Sequence, residues 1–351
     1  MKQKLDTIIK TAIKENIFPG CVIGVVFRNG EKDLFPFGRF TYDSDAPEMR
    51  EGTVFDVASI TKAIPTSCLA LKALETGKMK LDDALINWIP EYNNSYSGKV
   101  KIKHLLAHTL DFDFRLSACK DLPPQKILET IYTAELRSAP GSTFMYCNAT
   151  SILLGILVEL VFDRKLDTLA EELFFRPLGM NTTTFSPDSN ALGEIVPTEL
   201  DNWRGREIRG EIHDESAWVL KKIMVPGSAG VFSCVPDLLI FLEMLLNDGA
   251  YGSKQYFSPD TIKLMSTNQI RGIGASTGLG WELNQPEYMG SNCSARTIGK
   301  TGFTGCVAIC DLEKGIGLTL LSNYTWPCRK DGKEQINKIR RQVADVVFGG
   351  L

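Results

Sequence analysis

The chain has 351 residues, of which 44% are apolar and 23% are charged, and its net charge is −3 at pH 7. This length and composition are ordinary for a globular enzyme with a sizeable core. The basic residues are scattered rather than gathered in a stripe, which argues against nucleic acid as a partner. Because no apolar stretch reaches the roughly 18 residues of a membrane span and the first twenty residues lack a signal-peptide pattern, we expect no membrane span and a cytoplasmic protein.

Cysteine and histidine usage gives no indication of a metal site. Nine cysteines lie mostly in apolar segments, which favours buried free thiols in a reducing compartment. The sequence has no Cys-x-x-Cys motif and no His-Glu-x-x-His motif. His104 and His108 are four residues apart and could ligate a metal, but we interpret them as hydrogen-bonding residues of a helical lobe. We therefore expect no metal and no cofactor.

The predicted elements begin with a helix and a hairpin. Apolar residues in the first fourteen positions recur at helical spacing, which predicts an amphipathic helix. Asn29-Gly30 then separates two strand-like runs, residues 21–28 and 31–37. An Asn-Gly pair between such runs is a strong signal for a tight β-hairpin.

Residues 59–62, Ser-Ile-Thr-Lys, carry the strongest chemical signal of the chain. Positions three apart on a helix share one face with Cβ atoms about 5–6 Å apart, so the Lys62 amine can reach the Ser59 hydroxyl. A serine hydroxyl is a weak nucleophile, and a solvated lysine has a pKa near ~10.4 that burial or a cationic neighbour must lower. Ser59 and Lys62 are a candidate catalytic pair, with a helix N-cap and a solvated lysine as the alternative.

Helical context distinguishes Ser59 from a second Ser-x-x-Lys match at residues 117–120. An apolar run follows Lys62 and closes at Gly77, which predicts a buried helix. Pro65 is tolerated only in the first turn, so Ser59 should lie where that helix starts. The second match is followed by a Pro-Pro pair that stops a helix, and roughly one such match is expected by chance in a chain of this size.

Tyr146 opens a second motif, Tyr-Cys-Asn at residues 146–148. A Pro-Gly turn precedes it and a strongly apolar helix follows, so we expect Tyr146 to be held rigidly where the helix begins. Tyr92 and Asn94 repeat the spacing, but in a polar loop that we expect to offer no scaffold. The alternative for Tyr146 is a packing tyrosine with a hydrogen-bonded hydroxyl.

The third motif is Lys300-Thr301-Gly302, directly after Gly299. A phosphate-binding loop would need another glycine at position 294 and a helix after the motif, but the sequence has Ser294 and strand-like residues. We reject nucleotide binding and interpret the motif as part of a strand that lines a cleft, where glycine lets a ligand approach closely.

The segment from residue 297 to the end predicts two or three strands and then a helix with one apolar side. Since strands occur at both ends of the chain with helices between them, we expect one sheet built from both termini.

Together, the three motifs resemble those of the serine β-lactamase and penicillin-binding protein superfamily. The tyrosine variant of the second motif is similar to that of class C β-lactamases, D-alanyl-D-alanine carboxypeptidases and family VIII esterases. Similar stretches extend over almost the whole chain, at residues 55–62, 103–109, 177–180, 213–217 and 227–233.

The resemblance implies an α+β, β-lactamase/transpeptidase-like fold, in which an antiparallel sheet is flanked by helices and a mostly helical lobe is inserted. We expect a single catalytic unit over residues 1–351. The helical lobe should cover about residues 78–215, and residues 1–77 and 216–351 should form the α/β sheet lobe. The active site would lie between the two lobes.

The resemblance also implies acyl transfer through a serine ester, with Ser59 attacking a carbonyl carbon. Lys62 and Tyr146 would share the proton transfer, and which of them is the general base stays open. Two lysines near Tyr146, Lys62 and Lys300, would favour its phenolate.

The implied substrate-binding residues are Asn148, Lys300, Thr301, Gly302 and Phe303. Asn148 would orient Lys62 and a substrate amide. The backbone N–H groups of Ser59 and Phe303 would form the oxyanion hole. Lys300 and Thr301 would hold a substrate carboxylate.

Two departures from the family pattern affect these expectations. Leu110-Asp111 stand where many relatives have Ser-Gly, so that loop should differ. Lys300 stands where many esterase-like relatives carry histidine, which favours a small-molecule substrate that bears a carboxylate.

The predicted function is that of a serine hydrolase acting on a β-lactam, a D-amino-acid peptide or an ester, since fold does not fix the substrate. A non-catalytic binding or regulatory module that retains the fold is the alternative. The sequence leaves the oligomeric state open.

Overall fold

A computed structural model of the protein describes residues 1–350. Its α-helices, in chain order, are α1 (Lys2–Lys14), α2 (Cys68–Glu75), α3 (Ile102–Leu106), α4 (Pro124–Thr133), α5 (Asn148–Phe162), α6 (Leu166–Ala170), α7 (Arg176–Leu178), α8 (Glu215–Leu220), α9 (Val235–Leu246), α10 (Pro259–Met265), α11 (Pro286–Met289) and α12 (Glu334–Phe348). Its strands are β1 (Gly20–Phe27), β2 (Lys32–Gly38), β3 (Phe55–Asp56), β4 (Glu199–Asp201), β5 (Arg206–Ile208), β6 (Phe232–Ser233), β7 (Ala250–Tyr251), β8 (Lys254–Gln255), β9 (Glu282–Leu283), β10 (Thr297–Thr301), β11 (Val307–Asp311) and β12 (Ile316–Ser322).

The main sheet is antiparallel and combines strands from both ends of the chain, as predicted. Its strand order is β2-β1-β12-β11-β10-β9. Ile23 of β1 lies opposite Leu320 of β12, so the first and last thirds of the chain meet in the middle of the sheet. The predicted hairpin joins β1 and β2, and Gly30 has the positive φ of 88° that its turn requires.

Helices cover both faces of this sheet. The terminal helices α1 and α12 pack on one face, where the buried side of α1, including Leu5 and Ile9, meets Val25 and Leu318 of the sheet. Helix α9 packs on the opposite face against β1, β11 and β12. The resulting α+β fold is the predicted class. It leaves the edge strand β9 and its neighbour β10, which carries Lys300 and Thr301 of the Lys-Thr-Gly motif, beside Tyr146 at the start of α5.

The middle of the chain is mostly helical. Helices α3 to α7 lie between residues 78 and 215, with the short hairpin β4-β5 near the end of this stretch. The central helix α5 is buried along residues 149–155 and contacts both α2 and α3. The division of the chain into two lobes at these residues stays a prediction.

Within residues 1–350 no helix combines the length and apolarity needed to cross a membrane. The cysteines of this range are all unpaired, and most of them are buried.

Glycine at two positions lets α9 approach the sheet closely. A Cβ atom built on Gly24 of β1 would lie 2.8 Å from Cδ1 of Leu239, and one on Gly317 of β12 would lie 2.9 Å from Cβ of Leu242. Both distances are shorter than real carbon contacts, so a side chain at either position would push α9 outward. The close helix–sheet contact therefore depends on these two glycines.

We predict that Gly24→Ala lowers the free energy of unfolding by about 1–3 kcal/mol, the usual cost of overpacking a well-packed core. Gly52→Ala is the matched control, because a Cβ on Gly52 would have no neighbour within 4 Å. That variant should leave stability unchanged or raise it slightly. Denaturant unfolding of both variants measures the difference, and equal effects would contradict the packing argument.

Candidate active site

Ser59 and Lys62 form the predicted pair. Ser59 occupies the turn directly before the helical residues that begin at Ile60. The Lys62 Nζ donates to Ser59 Oγ at 2.8 Å and to the carbonyl oxygen of Ser228 at 2.7 Å. Lys62 is only 1% exposed. The alternative of a solvated lysine is wrong, because burial and these two contacts fix the amine against the serine hydroxyl.

The turn that carries Ser59 is held in a strained conformation. Ala58 has a φ of 47°, in the left-handed region that costs a non-glycine residue about 1–2 kcal/mol. The buried Asp56 carboxylate compensates for this, because it accepts hydrogen bonds from the backbone N–H of Ala58 at 2.8 Å and of His213 at 2.7 Å. Burial raises the pKa of Asp56, while these two hydrogen bonds oppose the rise. Asp56 thus positions the nucleophile without touching it.

Tyr146 lies two residues before α5, as predicted, and its ring faces both lysines. The ring centroid is 4.3 Å from the Nζ of Lys300 and 5.3 Å from the Nζ of Lys62. The His108 ring packs against Tyr146 with a centroid distance of 5.1 Å, and its Nδ1 lies 2.7 Å from Thr150 Oγ1. Burial, and then the charges of Lys300 and Lys62, lower the pKa of His108 well below its ordinary value.

The charge of Lys62 favours a Tyr146 phenolate as expected, but it does not decide the pKa of the hydroxyl, which is raised overall. Burial raises the pKa of the Tyr146 hydroxyl by more than the positive charge of Lys62 lowers it, and the nearby Glu282 carboxylate adds to the rise. Removing a phenolate from water is therefore the larger effect in this cleft. The resting tyrosine is a neutral hydroxyl.

Lys300 has a carboxylate partner that the sequence does not reveal. Its Nζ donates to Glu282 Oε1 at 2.8 Å, and the second oxygen of Glu282 accepts a hydrogen bond from the Tyr288 hydroxyl at 2.8 Å. Burial alone would raise the pKa of Glu282, but Lys300 and Tyr288 hold it below its ordinary value. Lys300 is 1% exposed, whereas Glu282 lines the cleft.

Asn148 is not placed as expected. Its Nδ2 donates to Asp214 Oδ2 at 2.9 Å, and no hydrogen bond joins it to Lys62 within the described chain. Asp214 is also the N-cap of α8, where its other oxygen accepts from the backbone N–H of Ala217. Since Asp214 anchors the amide of Asn148, this side chain is oriented from the α8 side of the cleft.

A cleft of about 420 Å³ joins these residues. Its lining includes Ser59, Tyr146, Asn148, Thr301, Gly302 and Phe303. Of the predicted site residues, Lys62 and Lys300 lie behind this lining. The structure thus brings together residues from three separate parts of the sequence.

Phe303 and Gly302 are fixed from behind at the end of β10. The Phe303 ring is 46% exposed and stacks on the His213 ring at a centroid distance of 5.6 Å. Arg340 of α12 is buried and donates to the carbonyl oxygens of Gly302 and Cys306 at 2.8 and 2.9 Å. His213 and Arg340 therefore hold the strand end that faces Ser59.

The two repeated motifs lie outside the cleft. Lys120 pairs with Glu215 at 3.7 Å and not with Ser117, which is exposed. The expectation that Tyr92 has no scaffold is wrong, because its side chain is 0% exposed in the core. Neither repeat forms a second site.

No group of three or more metal-ligating side chains occurs within residues 1–350. His104 accepts a hydrogen bond from the backbone N–H of Lys101 at 3.1 Å and His108 contacts Thr150, as expected for hydrogen-bonding residues.

Sequence reasoning missed several residues of the site. They are Ser228, Asp214, Glu282, Tyr288 and Arg340. Ser228 and Asp214 lie in stretches that resemble the family, but nothing local indicates their contacts. Glu282 follows a Gly-Leu-Gly-Trp stretch and has no recognisable motif of its own.

Comparisons with known proteins identify the family and the fold of the chain. A protein of Escherichia coli K12 named "Putative D-alanyl-D-alanine carboxypeptidase" is 32% identical over 303 residues, covering 78% of this chain and 69% of the relative. The structure of EstCE1, described as a hydrolase with promiscuous acyltransferase activity, superposes with a TM-score of 0.75 at 21% identity, covering 97% and 98% of the two chains. Simvastatin synthase from Aspergillus terreus superposes with a TM-score of 0.77 at 19% identity, covering 99% and 97%. Residues 5–339 match the Beta-lactamase family, and the chain belongs to that family.

Proposed function

We propose that the protein is a serine hydrolase that acts through an acyl-enzyme on Ser59. The observation that carries this proposal is the buried Lys62 Nζ at 2.8 Å from Ser59 Oγ. A lysine held this close to the hydroxyl can take its proton as the oxygen attacks a carbonyl carbon. Membership of the Beta-lactamase family supports a serine hydrolase in general.

Tyr146 suits the second half of the proton transfer. Its neutral hydroxyl, with a raised pKa, can donate a proton to the leaving group. Proton transfer from Lys62 would then restore the tyrosine. In the second step water attacks the ester carbonyl. Lys62 and Tyr146 take the proton of the water and return a proton to the Ser59 oxygen, which is the leaving group of this step. Which of the two residues takes the proton from Ser59 stays open.

The oxyanion hole is proposed at the backbone N–H groups of Ser59 and Phe303. Within residues 1–350 neither of these N–H groups donates to another backbone oxygen, so both are free to stabilise a developing negative charge. The strained turn at Ala58 and the Arg340 contacts to the strand end fix the two donors before the substrate binds.

The substrate is proposed to be a β-lactam, a D-amino-acid peptide or an ester. The name of the Escherichia coli relative favours a peptide, and the acyltransferase activity described for EstCE1 favours an ester or another acyl donor. The sequence favours a carboxylate-bearing substrate through Lys300, whereas the pairing of Lys300 with Glu282 weighs against this. The paired Ser59 and Lys62 also weigh against a non-catalytic binding module. A cytoplasmic location stays a prediction.

We predict that a fluorophosphonate probe labels Ser59, since among the serines of residues 1–350 it alone combines a hydrogen bond from a lysine with a place in the cleft lining. Mass spectrometry of the labelled protein locates the adduct. Ser59→Ala should abolish labelling and hydrolysis of 4-nitrophenyl acetate. Ser117→Ala, from the exposed repeat of the motif, should retain both. Labelling at Ser117 or undiminished hydrolysis by Ser59→Ala would contradict the proposed function.

We predict that Tyr146→Phe lowers kcat by about 10²–10⁴-fold, the usual contribution of a proton-transfer group. The substitution keeps the ring between the lysines and His108 and removes only the hydroxyl. Circular dichroism and denaturant unfolding check that the variant is folded. Turnover above about a tenth of wild type in a folded variant would assign Tyr146 a packing role only.

A further inference from the structure

We propose that Glu282 sets the substrate class of the cleft by cancelling the charge of Lys300, so that the site selects acyl compounds without a carboxylate at this position. The inference rests on the proposed function and names its preferred substrate. It favours neutral esters over β-lactams and peptides with a free terminal carboxylate.

The first support is the geometry of the pair. Lys300 is almost fully buried, and its ammonium donates to Glu282 at 2.8 Å. The Glu282 side chain is 18% exposed and lines the cleft, while Lys300 lies behind it. A substrate therefore meets the carboxylate of the pair before the ammonium. A second carboxylate at this point would face a like charge with little water to screen it.

The second support is that Glu282 is fixed in place. Its main chain pairs with Gly299 in the sheet, next to Lys300. The Tyr288 hydroxyl donates to Oε2 at 2.8 Å and keeps the other oxygen on Lys300. A carboxylate held by a strand and by two donors does not swing away easily, because breaking such a buried pair leaves both charges uncompensated.

Among the other charged groups that line the cleft within residues 1–350, one exposed cation, Lys333, remains available to a substrate. Asp214 and Glu287 add two further carboxylates to the lining. The Arg340 guanidinium is already committed to two backbone carbonyl oxygens. The Lys333 side chain is exposed, and its Nζ lies 6.0 Å from the centroid of the Tyr146 ring. Among the described residues that line the cleft, Lys333 is therefore the one exposed cation, and a substrate carboxylate would meet it in contact with water.

Two matched substrates test the proposal at neutral pH. They are the phenylacetylglycyl esters of 3-hydroxybenzoate and of 3-hydroxybenzamide, which have nearly the same size and differ by one negative charge on the leaving group. The measured quantity is the ratio of kcat/KM for the charged ester to that for the neutral ester. Fluorophosphonate labelling of Ser59 in each variant shows separately that the nucleophile works.

Glu282→Gln should raise this ratio by about tenfold or more, the lower end of what one charge-assisted hydrogen bond contributes. The variant leaves the charge of Lys300 uncompensated, so a substrate carboxylate meets a net positive charge there in place of a like charge. Glu287→Gln removes the same charge from an exposed position of the cleft and should change the ratio by less than about twofold. The double variant Glu282→Gln, Lys300→Met has neither charge, and its ratio should return toward the wild-type value.

A loss of folded protein lowers kcat/KM for both esters equally and cancels in the ratio, so it does not mimic this result. An unchanged ratio in Glu282→Gln, with Ser59 still labelled, would overturn the proposal and leave the proposed function intact. A ratio that falls only in Lys333→Met would also overturn it, because Lys333 would then read the carboxylate. If the fluorophosphonate probe does not label Ser59 in the wild-type protein, the proposed function itself is overturned.

Discussion

The site depends on the burial of two lysines whose ammonium groups both lie over the ring of Tyr146. Taking an ammonium out of water costs several kcal/mol unless partners replace the lost hydration. Lys300 has Glu282 as its partner, but Lys62 has only neutral ones, the Ser59 hydroxyl and the Ser228 carbonyl. The ring of Tyr146 adds a weaker cation–π contact to each. Within residues 1–350 Lys62 thus has no carboxylate among its hydrogen-bond partners, whereas Lys300 has one.

This asymmetry assigns different tasks to two chemically identical side chains. Lys62 stands on the helical turn that follows the nucleophile, and its partners come from the turn itself and from a distant loop. Lys300 stands on β10, where the sheet places Glu282 beside it. The scaffold therefore gives one lysine a neutral environment and the other a paired one. The main sheet, which is built from strands of both chain ends, matters for function because it fixes the pair Lys300–Glu282 near the pair Lys62–Ser59.

Local chemistry explains why much of the fold could be predicted from the sequence. The Asn29-Gly30 hairpin, the terminal helices and the helix ending before Gly77 depend on turn residues and on apolar spacing within a few positions. The pair Ser59 and Lys62 was predictable for the same reason, since the helical geometry that joins them is local. The order of the three motifs then indicated the family, and the match over residues 5–339 confirms it.

Contacts between distant residues could not be predicted in this way. Ser228 is 166 residues from Lys62, and Asp214 is 66 residues from Asn148, so no spacing rule connects them. The expected contact of Asn148 with Lys62 was wrong for this reason, because the Asn148 amide binds a partner that only the fold brings near. Its role toward a substrate amide stays a prediction. Tyr92 shows the opposite error: its polar neighbours suggested a loose loop, but the side chain is in the core. Polar neighbours in the sequence indicate a loop in the backbone, but they do not show whether the side chain of a given loop residue is buried.

The charge that a motif lysine presents to a substrate depends on the side chain paired with it. The Lys-Thr-Gly motif alone predicts a positive charge in the cleft, and that charge in turn favours a substrate that bears a carboxylate. The pair that it forms with Glu282 has no net charge, and its exposed part is negative. At an effective dielectric constant of about 20, two unit charges at about 4 Å interact by roughly 4 kcal/mol, so one neighbouring carboxylate outweighs a typical gain of about 1.5–3 kcal/mol from a charged hydrogen bond. The charge that a substrate meets is therefore a property of the pair. In this fold it is decided by a strand, β9, that carries none of the three motifs.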